Sequence, residues 1–141
     1  MAKYFTMKEM TRSSTAVRRG IDNTPDDSIR YNLEILMGVL DVIRDAWGSA
    51  INVTSGYRCP ALNKAVNGSK TSAHLMGFAA DLKPVKGTPH QLAVFIRDYC
   101  KEHGLLYDQI IKERSGSSTW CHFGLYSPTG MQRRQFLSIN L

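Results

Sequence analysis

Apolar residues recur at three- and four-residue spacing through Ile29, Leu33, Leu36, Leu40, Ile43 and Trp47. This period predicts an amphipathic helix over about residues 26–47, with the apolar stripe in the core. Asn23-Thr24-Pro25-Asp26-Asp27 turns the chain into it, with acids where the helix dipole favours them, and Gly48 ends it. The period then shortens to two: Ile51-Asn52-Val53-Thr54 alternates and reads as a strand. Gly77 to Leu82 is small and apolar, as in a buried strand. Thr88-Pro89-His90-Gln91 carries a cap, a proline at the first position and a glutamine at the third, so it starts a helix. That helix runs to about His103, is stopped by Gly104, and buries Leu92, Phe95, Ile96 and Tyr99.

Weaker signals fill the remainder. Thr6 and Glu9 form a T-x-x-E capping box for a short helix from near Met7, broken or restarted by Ser13-Ser14-Thr15. Pro60 to Val66 reads as a short surface helix and Asn67 to Thr71 as a loop. Tyr107 to Lys112 and Trp120 to Tyr126 read as hairpin partners around a flexible turn from Arg114 to Thr119. After a turn at Ser127-Pro128-Thr129-Gly130, Gln135 to Ile139 can form a last strand. Helices come first, followed by strands that βαβ units cannot all connect. The expected class is therefore α+β, a mainly antiparallel sheet flanked by helices. At 141 residues the chain is expected to be one domain, with a helical part over 1–48 and an α+β part over 50–141.

Composition changes this picture little. The net charge of +6 favours anionic partners. The basic residues are scattered, however, and no nucleic-acid motif accompanies them, so a nucleic-acid binder is not expected. Three cysteines, Cys59, Cys100 and Cys121, are an odd number without a C-x-x-C and read as buried thiols. The opening MAKYFTMKEM lacks the apolar run of a signal peptide, and no stretch approaches the ~18 apolar residues of a membrane span. A soluble monomer made in the cytoplasm is expected; action outside would need a separate release system.

The chemistry concentrates in Ser72-Ala73-His74-Leu75-Met76-Gly77-Phe78-Ala79-Ala80-Asp81 and, later, Trp120-Cys121-His122. Two imidazoles and one carboxylate are the ligand set of a catalytic zinc with an open fourth position. A bend at Gly77 would return His74 and Asp81 to one point, and His122 on a neighbouring strand would close the triangle. Singly these residues signal little, since a lone histidine is more often a surface or core residue. His90 and His103 receive no role.

Ser55-Gly56-Tyr57-Arg58-Cys59-Pro60, then S-x-H-x-x-G-x-A-x-D, then W-x-H, in that order, resemble the zinc D-alanyl-D-alanine carboxypeptidases and the phage L-alanyl-D-glutamate endopeptidases of the same family. Tyr4-Phe5-Thr6, Ser13-Ser14-Thr15-Ala16, Ile21 to Asn23, Asp108-Gln109-Ile110-Ile111 and Arg133-Arg134-Gln135 resemble a compact bacterial and phage branch. The resemblance implies a Hedgehog/DD-peptidase-like fold, zinc held by His74, Asp81 and His122, and hydrolysis of peptidoglycan stem peptides. It makes Arg58 the arginine that binds a substrate carboxylate or steadies the oxyanion, and Ser72 a substrate hydrogen-bonding serine. Several members place the catalytic acid three residues before the last histidine. Here that residue is Thr119, which cannot act as a base. Glu113 is the best substitute and Asp108 the second choice. A rival reading is a catalytically silent module that binds wall peptide or structures a phage particle. A missing signal fits release by a lysis system and equally an intracellular or prophage-encoded product.

Overall fold

The computed structural model describes residues 2–140. The elements in chain order are α1 (Met7–Thr11), α2 (Ser14–Arg19), α3 (Asp27–Trp47), β1 (Ile51–Ser55), α4 (Pro60–Ala65), a 3₁₀ turn (Ala73–Met76), β2 (Ala79–Pro84), α5 (Pro89–His103), β3 (Gln109–Ser115), β4 (Ser118–Gly124) and β5 (Gln135–Ile139). This is an α+β architecture around one five-stranded sheet of order β1-β2-β4-β3-β5.

Local chemistry sets the helix boundaries. Thr6 and Ser13 each accept from the backbone N–H three residues on, so the serine cluster restarts a second helix. Asp26 accepts from Ile29 N at 2.9 Å at the start of α3, and Gly48 ends it with φ 86°. Thr88 and Gln91 exchange both bonds of a capping box, and Gly104 closes α5 at φ 67°. α3 buries Ile29, Leu33, Leu36, Met37, Leu40 and Ile43, as the periodicity requires. The buried face of α5 is turned relative to expectation: it is Leu92, Ala93, Ile96 and Cys100. Phe95 and Tyr99 are half-buried at its margin, where Phe95 meets Trp47 edge-on at 5.1 Å and stacks on Tyr99 at 5.9 Å. Its small residues Ala93 and Cys100 pack in the same core as Leu82, Cys121 and Phe123 of the sheet.

The hairpin also departs from expectation. Arg114 pairs with Thr119 and Ser115 with Ser118, so the loop between β3 and β4 is only Gly116-Ser117. Gly116 takes φ 59°, the positive value that a two-residue hairpin loop places on glycine. The pairs β1–β2, β2–β4 and β4–β3 are antiparallel, whereas β5 returns parallel to β3, with Ile111 opposite Leu137. Cys59 is another correction: it is half-buried, and its sulfur accepts from Leu62 N at 3.5 Å as the cap of α4.

Alternation gives the sheet two unlike faces. Leu82, Ile110, Cys121 and Phe123 are fully buried and join the core with α3 and α5. Asp81, Ile111, Glu113, Trp120 and His122 point the other way, on the side of the 3₁₀ turn.

Candidate metal centre

Antiparallel pairing puts Asp81 directly opposite His122, so the two ligand candidates are cross-strand neighbours. His74 reaches them from the 3₁₀ turn. Gly77 ends that turn at φ 74°, which bends the chain into β2. Asp81 Oδ1 lies 3.3 Å from His74 Nε2 and 3.1 Å from His122 Nδ1. Donors around a tetrahedral zinc at about 2.0–2.1 Å stand roughly 3.3 Å apart, so these atoms fit the ion. The three donors lie within 4.8 Å of one another, and this is the group able to hold a metal among the described residues.

A further hydrogen bond fixes the orientation of His74. Its Nδ1 donates to the Gly56 carbonyl at 2.7 Å, which leaves Nε2 aimed at the site as an acceptor. Burial pushes the His74 imidazole below its usual range, which Asp81 partly offsets, and neutral imidazole is the form that binds metal. Burial opposes ionisation of Asp81, but His74 and His122 outweigh it and hold this carboxyl far below the usual carboxylate range. His74 and Asp81 are therefore in ligating form near neutral pH.

Arg58 and Ser72 lie beside the donors. The guanidinium reaches Ser72 Oγ at only 3.5 Å, its Nε is buried without a partner, and it makes no ion pair among the described residues. Burial lowers its pKa, with Asp81 and Glu113 opposing from a distance. A half-buried guanidinium with free donors suits an incoming carboxylate. Gly68 passes so close that a Cβ there would collide with Asn63 and stand 2.9 Å from Arg58.

The two candidate acids separate clearly. Asp108 is buried and gripped by Arg133, through Nε at 2.8 Å, a second guanidinium nitrogen at 2.8 Å, and the backbone N at 3.0 Å. Glu113, opposite Trp120 in the hairpin, carries no such cation. It accepts from Trp120 Nε1 at 3.1 Å and stands 4.0 Å from His122 Nδ1. Burial raises its carboxyl above the usual range, against the pull of His122. Thr119 falls on the opposite strand alternation, paired with Arg114. Arg58, Ser72, the three donors, Glu113 and Trp120 all line one cavity of about 560 Å³, which Leu137 and Ile139 also line.

Two contributors belong to motifs of the resemblance but receive no role from the sequence. Gly56 supplies the carbonyl to His74, and a Cβ on it would collide with the Met10 carbonyl. The glycine inside S-G-Y-R was the available signal. Asn23 fastens the same loop, and its place beside Thr24-Pro25 made it look like an ordinary turn residue.

A family model described as Peptidase M15 matches residues 3–111, which include His74, Asp81, Arg58 and Ser72 and stop short of Glu113 and His122. No curated protein sequence matches the chain.

Proposed function

We propose that this chain, which belongs to the Peptidase M15 family, is a zinc-dependent peptidase acting on the stem peptides of bacterial peptidoglycan. The observation that carries the reading is the fixed His74–Asp81–His122 triangle with an unclaimed acid, Glu113, beside it. A zinc ion held by these donors would supply Lewis acidity, which acidifies water and polarises a carbonyl. The other steps belong to the chain's own residues. Glu113 takes a proton from the attacking water and passes it to the leaving amine. Its raised pKa suits both halves of that task. Arg58 forks a substrate carboxylate or the developing oxyanion, and Ser72 Oγ offers a hydrogen bond alongside. Asp108 is excluded from the base role in this reading because Arg133 occupies both its oxygens.

The substrate bond is either the terminal D-Ala-D-Ala link or an internal L-Ala-D-Glu-type link. A second cavity of about 250 Å³ shares Arg58, Val66 and Asp81 with the main groove and is lined by Ser13, Ser14, Thr15 and Thr54. This additional space beside Asp81 supports an internal cut. The test is zinc per chain together with hydrolysis of mixed muropeptides read by mass spectrometry. About one zinc and a new product bear the proposal out, and the product masses name the bond. Zinc without cleavage of any muropeptide would favour a silent wall-binding module, and no zinc after reconstitution would overturn the ligand set.

A further inference from the structure

Asn23 sits 34 residues from the loop that carries Arg58, yet its side chain is bonded to that loop on both sides of the arginine. Its Nδ2 donates to Tyr57 O at 3.0 Å and to Thr11 O at 2.9 Å, and its Oδ1 accepts from Cys59 N at 2.8 Å. Both amide hydrogens and the amide oxygen are thus used. Two of the three bonds fall on the residues flanking Arg58, and the third anchors the amide to the end of α1. The loop has two further ties: Tyr57 N donates to Met10 O at 2.7 Å, and Arg58 N to His74 O at 3.1 Å. The Arg58 backbone is therefore fixed from the N-terminal helices and from the 3₁₀ turn that bears a metal ligand.

We infer that Asn23 is the positioning residue that aims Arg58 at the substrate. This rests on the reading of Arg58 as the carboxylate-binding arginine. Among the described residues the guanidinium has no anion to hold it, so its direction depends on its backbone and on the packing of Gly68 and Ser72. A serine or alanine at position 23 cannot span three backbone groups. Aspartate keeps the acceptor for Cys59 N but presents oxygen to two carbonyls.

The inference is tested by a double-mutant cycle between Asn23→Ala and Arg58→Ala, with Asn23→Asp as the milder variant if the alanine form folds poorly. Zinc per chain, KM and kcat on a peptide with a free carboxylate, and calorimetric binding of that peptide are measured for each. With Arg58 present, loss of Asn23 is expected to lower kcat/KM and peptide affinity about 10–100-fold while zinc content stays constant. With Arg58 already alanine, it should change either by less than about twofold. Equal factors in both backgrounds, or loss of zinc together with activity, would make Asn23 a general fold contact and overturn the inference. If the parent chain neither binds nor cleaves the peptide while holding zinc, the peptidase reading fails first and the inference falls with it.

Discussion

The two faces of the sheet are built from the same strands and differ only by alternation. On one face Leu82, Ile110, Cys121 and Phe123 lose all contact with water against α3 and α5. On the other, one residue along, Asp81, Glu113, Trp120 and His122 hold polar groups that partner one another only in part. Apolar burial supplies about 1.5–3 kcal/mol per large side chain and needs no particular direction. The polar face gains little from burial, and its value lies in the angles at which its atoms meet. Stability and chemistry are thus separable, residue by residue, along each strand.

That separation can be broken most severely at the donors. Asp81→Ala should remove zinc and all peptide hydrolysis, measured by metal analysis and product mass, while leaving the helices folded. Glu113→Gln is the next largest effect. A drop in kcat of about 10²–10⁴-fold with zinc retained is expected, and unchanged turnover would sink the base assignment. Leu82→Ala tests the opposite face. It should lower unfolding free energy by about 2–5 kcal/mol in denaturant titration and leave kcat near wild type for the folded fraction.

Asp108→Asn should cost less, about 1–3 kcal/mol. Burial opposes ionisation of Asp108, but the hydrogen bonds from Arg133 outweigh it, so its folded pKa lies below its unfolded one. Its stabilisation is therefore complete above the unfolded pKa of about 3.9 and is lost as pH falls through the folded value. The asparagine variant should show a shallower acid dependence of Tm below about pH 4. Trp120→Phe is the smallest change: it removes one hydrogen bond to Glu113, worth roughly 0.5–1.5 kcal/mol, and should weaken kcat modestly with the fold intact.

The elements set by local chemistry were the legible ones. The stripe of α3, the caps of α5 and the alternation of β1 each depend on residues within a few positions. The donors were legible as residue types, and the bend at Gly77 was readable from its spacing. What spacing could not convey was commitment. Asp108 and Glu113 are both acids at the start or end of a strand, and only the long-range return of Arg133 shows that one is already taken. The parallel pairing of β5, the turned face of α5 and the three-way bonding of Asn23 likewise depend on contacts distant in sequence. The two-residue loop at Gly116-Ser117 was hidden because polar residues extend into both strands around it.

Cys121 and His122 are adjacent, with one thiol inward and one imidazole outward. A slip of β4 by a single residue would exchange them, placing a soft sulfur beside Asp81 and a polar ring among Leu82 and Ile110. The tight loop at Gly116-Ser117 fixes the count of residues between the paired strands. That loop, remote from the donors, thereby helps determine whether the site presents nitrogen or sulfur, and so which ions it prefers.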